Sequence, residues 1–483
     1  MQSGYYSPRA RAVEVRRIDE TTSACLSPIG EVAFLSNEDL KRFRAEPAAL
    51  SPETVRDLKS RHMLKSAGDT PGADRLFASR LAAKRSTASA GPELHIIVPT
   101  LQCAHSCQYC QVSRALDAKG YSLTHAQVLA ACDQIMRSGA KVLTVEFQGG
   151  DPLNRFDLVE LAIEALAHHP ERKGRPIRFV VASTLHQLTE DMCRYFAQYD
   201  VKLSTSVDGP NWLHNRNRPV PTRDSYERTV SGIKLAKALL GAESVSALMT
   251  TTRLSLQHPE AIVDEYVALG LNEIFLRPLS HYGFAKRNLQ MLGYTTEQFV
   301  EFYRSALKRV FWWNERGIPV REVYASIILN KLVSSFDAGY VDLQSPNASG
   351  KAVLVYNYDG YIYPSDEARM LAESGDKSFR MGRIDAPMEE LMASPAAERI
   401  RKSGGVESDA DCSACSFKHY CAPSPVDAAA GGAGVVATRD TEHCRRTTAL
   451  FDQMLHLLAM ARASNPSLNS LLQRWAAPAG AGA

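Results

Sequence analysis

The sequence predicts an α/β fold: a partial (β/α)6, TIM-like barrel with a small module before it and a cysteine-bearing domain after it. Three observations carry this reading. From about Pro92 onward, short apolar runs at 94–98, 142–147, 177–182, 201–207, 245–250 and 273–277 alternate with amphipathic helical stretches. Such alternation marks a parallel sheet whose crossovers are helices. The residues able to do chemistry directly follow these runs, as expected where a site sits on the loops at strand C-terminal ends. Finally, seven of the ten cysteines fall into two groups, one inside this pattern and one far beyond it.

At 483 residues the chain is too long for one core, and about 150 residues per domain gives two or three units. We divide it into a lead-in module at 1–90, the barrel at 91–281, a helical connector at 282–345, an auxiliary domain at 346–460 and a tail at 461–483. In the lead-in module the run Val32-Ala33-Phe34-Leu35 leads to Ser36 with Asp39 three residues on, a helix start. Ser51-Pro52 opens a second helix with Val55, Leu58 and Met63 on one face. This module holds no chemical motif and is expected to cover one end of the barrel or to help hold a substrate. Within the barrel, Thr124 caps a helix that runs to Arg137, with Gly139 just beyond. Lone Cys25, Cys132 and Cys193 read as core thiols. In the connector, Phe299, Phe302, Tyr303 and Val310 recur at helical spacing.

Hydrophobic residues at 45% and charged residues at 23% are ordinary for a globular chain, and a net charge of +3 gives no support for a nucleic-acid or anionic-membrane surface. No run approaches about 20 consecutive apolar residues, and the first residues lack the basic-then-apolar order of a signal peptide. The expected location is cytoplasmic. In a reducing compartment, grouped cysteines point to metal or cluster ligation rather than to disulfides.

The first group is Cys103-Ala104-His105-Ser106-Cys107-Gln108-Tyr109-Cys110, directly after the first run and Pro99. Four thiolates saturate a cubic iron-sulfur cluster, whereas three leave one iron open to an outside ligand. A zinc knuckle short of one ligand, or three unrelated core thiols, are the bland alternatives. His105 and Ser106 read as spacers. After the second run comes Phe147-Gln148-Gly149-Gly150-Asp151-Pro152, where paired glycines let backbone approach a ligand closely. After the fourth come Ser204-Thr205-Ser206-Val207-Asp208-Gly209-Pro210 and His214-Asn215-Arg216-Asn217-Arg218-Pro219. Arg277, ending the sixth run, is expected to point toward the cavity mouth, as a ligand contact or in a surface ion pair.

CxxxCxxC with an aromatic before its last cysteine resembles the signature of the radical S-adenosylmethionine (SAM) enzymes. The resemblance implies a 4Fe-4S cluster on Cys103, Cys107 and Cys110, with SAM on its open iron and a 5′-deoxyadenosyl radical as the product of one-electron cleavage. It further implies that Tyr109 lies against adenine and that Gly149, Gly150 and Asp151 form the strand-end motif meeting the SAM amino group. Ser206 would bond the ribose and Arg218 the carboxylate. The chain departs from the family at Asp151, usually Glu, and at Asn215, usually Asp.

The second group, Cys412, Cys415, Cys421 and Cys444, completes one closed site that suits zinc and an iron-sulfur cluster equally well. It follows an expected hairpin, two apolar runs around Asp359-Gly360, and Tyr363-Pro364-Ser365-Asp366. This order resembles the SPASM extension of radical SAM peptide maturases, with cysteines missing near Asn347, at Ser365 and at Pro425. The resemblance implies one auxiliary 4Fe-4S cluster on the four retained thiols. It also implies that Asp366 is the base taking a proton from the substrate. The stretch 428–434 is expected to be a mobile loop, and the tail from Pro478 to be disordered.

Taken together, the motifs look most like the B-type radical SAM maturase of the His-Xaa-Ser system. That implies a ribosomally made precursor peptide with His-Xaa-Ser repeats as substrate. It implies also a flavodoxin or ferredoxin as electron donor, and a companion radical SAM protein as a partner. Two rivals stay open: a sulfatase-type maturase forming formylglycine, and a non-enzymatic zinc-binding protein.

Overall fold

The computed structural model describes residues 9–65, 71–85, 91–117, 119–431 and 438–477. Its fifteen described strands begin with β1 (Arg9–Ala10), β2 (Glu14–Arg17), β3 (Thr22–Ser27), β4 (Glu31–Ser36) and β5 (Leu64–Lys65). The barrel strands are β6 (Leu94–Thr100), β7 (Leu143–Gly149), β8 (Ile177–Ala182), β9 (Lys202–Ser206), β10 (Val245–Thr250) and β11 (Glu273–Arg277). Beyond them come β12 (Arg321–Glu322), β13 (Val353–Tyr356), β14 (Tyr361–Tyr363) and β15 (Gly382–Arg383).

One ten-stranded sheet, in the order β12-β11-β10-β9-β8-β7-β6-β13-β14-β15, organises the chain. The six expected barrel strands stand side by side in sequence order, all parallel. Their alternating residues follow from burial on both faces. On β7, Leu143, Val145 and Phe147 face the helix layer, and Glu146 and Gln148 face inward to the cavity. Helices supply the crossovers, and two of them start on a side-chain cap. Thr124 and Gln127 form a reciprocal capping box on His125–Met136, and Thr189 caps Glu190–Gln198.

The sheet is wider than the six expected strands. At one edge β12 adds in parallel to β11. Here Glu322 is fully buried, accepting from Leu276 N at 3.1 Å and Ala325 N at 2.6 Å, so it ties β11 to the helix Val323–Val333. At the other edge, the hairpin strand β13 pairs in parallel with β6, Val353 opposite Leu94. The C-terminal region is therefore joined to the barrel through a continuous sheet. The hairpin loop is also longer than an Asp-Gly two-residue turn: Asn357 N bonds Tyr361 O and Gly360 N bonds Asn357 O.

The lead-in module consists of the antiparallel sheet β2-β3-β4 with helices Asn37–Ala45 and Pro52–Ser60, started by Ser36 and Ser51 as expected. The module shares core residues with the barrel and is tied to the C-terminal region. Arg16 pairs with Asp452 at 2.5 Å, Ser416 bonds Val15 O at 3.0 Å, and Tyr420 bonds Ser27 O at 2.7 Å. The module thus packs behind the distal cysteine loop, on the helix Glu442–Ser464. Among the described residues none before Cys103 lines the central cavity.

Cys25, Cys132 and Cys193 are buried in hydrophobic packing. Of the stretch expected to be a mobile loop, 428–430 instead ends the helix Pro425–Ala430, capped by Ser424; residues 432–437 lie outside the described residues, as does the tail 478–483. Among the described residues no helix is long and apolar enough to cross a membrane.

Candidate active site

A cavity of about 590 Å³ opens at the C-terminal ends of the barrel strands. Cys103, Cys107 and Cys110 line it, together with Tyr109, Gly149, Gly150, Ser206, Arg218 and Arg277. Hydrogen bonds hold the cysteine loop at both ends. Cys103 N bonds Ala115 O, Ser106 N bonds Pro219 O, and Cys110 O accepts from Phe284 N.

Burial and neighbouring charge act on Cys103 and Cys107. Burial first, then Asp151, Cys107 and Cys110, pushes Cys103 well above its ordinary value. Cys107 is pushed up to about 12 by burial, against the pull of Arg218. Thiolates placed this way are stable only when a cation compensates them, which is the condition a bound iron cluster meets. Among the described residues, no group of three or more His, Cys, Asp or Glu side chains is arranged to hold a single metal ion.

The paired glycines serve a close backbone neighbour as well as lining the cavity. A Cβ on Gly149 would meet Thr100 O at 2.2 Å, and one on Gly150 would meet Leu101 O at 2.1 Å. Gly150 N bonds Thr100 O at 3.0 Å, and Asp151 N bonds Gln102 O at 2.8 Å. The glycines let the end of β7 zip against the entry of the cysteine loop while still lining the cavity. The Asp151 side chain has a structural duty: its carboxylate is buried, accepting from Ser183 Oγ at 2.7 Å, Thr184 Oγ1 at 2.5 Å and Leu153 N at 3.2 Å, so it clamps β7 to β8.

Tyr109 and Arg218 meet through a residue the motif reading passed over. Tyr109 Oη donates to Asp208 Oδ2 at 2.5 Å, Arg218 Nε lies 3.2 Å from Asp208 Oδ1, and the guanidinium sits 5.2 Å over the Tyr109 ring. Arg218 Nη1 also reaches Cys107 Sγ at 3.9 Å. Burial disfavours the Arg218 charge, but Asp208, Tyr109 and Cys107 outweigh it and raise its pKa. Asp208 therefore fixes the cation beside the cysteine loop. In sequence it stands inside the stretch 204–210 with no role of its own. Asn215, the other departure, accepts from Ser225 Oγ and Tyr226 N, away from the cavity.

Asp366 adjoins the cavity lining: its Oδ1 accepts from Arg369 Nε at 2.6 Å, Arg369 is fully buried, and its charge is felt by Glu146 and Arg277 on the cavity wall. The next residue, Glu367, lines the cavity and has no hydrogen bond or ion pair to another side chain among the described residues. Burial, then Asp342, Asp366 and Asp427, pushes its carboxyl up to about 8. Glu146, on β7, is likewise pushed up to about 7 by burial. Because Arg369 Nη1 and Nη2 are without partners among the described residues, Asp366→Ala is expected to destabilise the fold by about 3–5 kcal/mol in urea denaturation, the cost of stranding a buried charge.

The distal thiols come from three segments: Cys412 in the turn Ala410–Ser413, Cys415 and Cys421 in the following loop, and Cys444 in the first turn of Glu442–Ser464. They feel one another's charge. Burial pushes Cys412 to about 12, with Asp409, Cys421 and Cys444 adding to it; Cys421 also reaches about 12, through burial, Cys444 and Cys415. The positions lacking cysteine have other duties. Ser365 caps the helix Asp366–Glu373 through Ala368 N at 3.2 Å, and Pro425 starts Pro425–Ala430. Asn347 and Ser365 both face the cavity.

Residues 97–266, which hold most of the parallel strands of the central sheet, match the model of the Radical SAM superfamily. The fold is shared with anSMEcpe solved with bound AdoMet and Kp18Cys peptide, at TM-score 0.62 and 15% identity, covering 79% of this chain and 100% of that one. It is shared too with Streptococcus suis SuiB bound to precursor peptide SuiA, at TM-score 0.52 and 13% identity, covering 86% of this chain and 95% of that one. In sequence, an uncharacterised protein of Methanothermobacter thermautotrophicus is 26% identical over 183 residues, 37% of this chain. The match spans 64% of that relative's length.

Proposed function

We propose that the chain is a radical SAM enzyme that modifies a ribosomally made precursor peptide, with His-Xaa-Ser repeats as the substrate class. The observation that carries this is the gathering of Cys103, Cys107, Cys110, Arg218 and Ser206 on one cavity whose far wall, Glu367 and Asp427, comes from the C-terminal domain. SuiB, which shares the fold, was solved bound to a precursor peptide, and anSMEcpe with AdoMet and a peptide.

In this reading Cys103, Cys107 and Cys110 hold a 4Fe-4S cluster, and Cys412, Cys415, Cys421 and Cys444 hold an auxiliary one. The first cluster and SAM, when bound, supply one-electron cleavage and a hydrogen-abstracting radical. Arg218, charged through Asp208, binds the SAM carboxylate. Ser206 offers its hydroxyl from the end of β9. Glu367 takes the proton that the oxidised substrate must lose, and the barrel and the C-terminal domain keep bulk water from the radical. A flavodoxin or ferredoxin would deliver the electron.

Anaerobic incubation of reconstituted protein with SAM, dithionite and a His-Xaa-Ser repeat peptide tests this by mass spectrometry. The expected result is a peptide lighter by about two hydrogens, as loss of a hydrogen atom, a proton and an electron requires; an unchanged peptide mass would contradict it. Gly150→Ala, whose Cβ would collide with Leu101 O, is expected to displace the cysteine loop. Iron analysis should then show loss of about half the metal, the distal four-thiolate cluster being retained.

A further inference from the structure

His105, between two of the three cysteines, is more than a spacer. Its ring is 1% exposed and lines the cavity, and its Nδ1 is buried with no hydrogen-bond partner among the described residues. Its Nε2 lies 3.3 Å from His186 Nδ1, and His186 Nε2 lies 3.2 Å from Arg228 Nη1. Arg228 is exposed and anchored to Asp224 Oδ2 at 2.9 Å.

The direction of every bond in this line follows from its outer end. A guanidinium can only donate. His186 Nε2 must therefore accept, which leaves the His186 proton on Nδ1. That N–H donates to His105 Nε2, so His105 carries its own proton on Nδ1. The result is a buried N–H donor, inside the cysteine loop, with its tautomer fixed and no acceptor among the described residues. An unmet buried donor is costly, and such atoms are kept where a bound group satisfies them.

We infer that His105 Nδ1–H is a preset hydrogen-bond donor to the anionic iron-sulfur group held by Cys103, Cys107 and Cys110, with its tautomer set from the surface by Arg228 through His186. This rests on the functional reading above. His105 would donate to the group directly; His186 and Arg228 are positioning residues. A donor aimed at a cluster stabilises its more negative, reduced form, so the line raises the reduction potential. It makes the first electron easier to accept.

The test is an EPR-monitored potentiometric titration of the reconstituted full chain with SAM present. In His186→Phe the donor to His105 is gone, and in Arg228→Ala the His186 tautomer is free to flip. In both, the ratio of reduced to oxidised SAM-responsive cluster at a fixed potential is expected to fall about tenfold, a shift of about 59 mV for a one-electron couple. His186→Gln, whose amide can still donate to His105, is expected to titrate like the wild type. Wild-type titration curves for both His186→Phe and Arg228→Ala would overturn the inference, as would a His186→Gln curve displaced as far as that of His186→Phe. Should His186→Phe lose its cluster, the exposed Arg228→Ala decides alone. A wild-type protein with no SAM-responsive signal would instead remove the functional reading itself.

Discussion

A Cys103→Ala protein, reconstituted anaerobically and given SAM and dithionite, is expected to form no 5′-deoxyadenosine above a protein-free control. Cys103 is the most buried of the three cysteines lining the cavity, and its thiolate is disfavoured by burial and by Asp151, Cys107 and Cys110. Such a group is kept charged by bound iron, and without it the remaining pair cannot hold a cluster with a single open iron. Alanine removes the ligand without adding bulk, so the fold should persist, and chromatography of the quenched reaction reads the result directly. Undiminished 5′-deoxyadenosine would show that the loop does not hold the reacting group.

Glu367→Gln is expected to have the second largest effect, and on a different step. Peptide product should fall by about 10²–10⁴-fold, the usual contribution of a positioned base, while 5′-deoxyadenosine continues to form. Glu367 is a proton acceptor only when ionised, and burial with Asp342, Asp366 and Asp427 holds its pKa near 8. Wild-type product formation should therefore rise with pH through about 8, and the variant should lose that rise. Arg277 and Tyr282, which line the same cavity, feel the Glu367 charge. Stability should move in the opposite sense. A carboxyl raised from 4.5 to about 8 on folding stabilises the fold at low pH, and that contribution is lost as pH climbs through this window. Thermal melts of Glu367→Gln should lack this part of the decline. Equal loss of both products would place Glu367 in SAM binding instead.

Strands β6 to β11 were legible because each is an apolar run bounded by turn residues, and five of their helical crossovers announce themselves by caps or periodicity. Strand β12 was not, since two residues, Arg321 and Glu322, carry no period. The hairpin was visible, but nothing in 353–356 tells which edge it joins; its partner β6 lies some 260 positions earlier, and only the fold brings them together. The three proximal cysteines, Tyr109, Ser206 and Arg218 were found by motif and do line one cavity. Asp151 and Asp366 matched motifs too, yet both are tied up in internal bonds. At 366–367 the choice turns on helix rotation: successive residues project about 100° apart, so one step decides between the Arg369 pair and the cavity. Asp208 and the His105–His186–Arg228 line were hidden for another reason. Their partners sit on different barrel loops, and a turn residue, a spacer and a surface arginine look ordinary until the strands set them side by side.

The account stands on three sulfurs sharing one cluster with an iron left free for SAM. The most direct measurement is the EPR spectrum of the reduced protein carrying Cys412→Ala and Cys415→Ala, so that the proximal set alone contributes, recorded before and after SAM is added. A 4Fe-4S signal whose g-values shift on SAM addition is the result this structure leads us to expect. A protein that binds zinc in place of iron, or an iron signal indifferent to SAM, would contradict it.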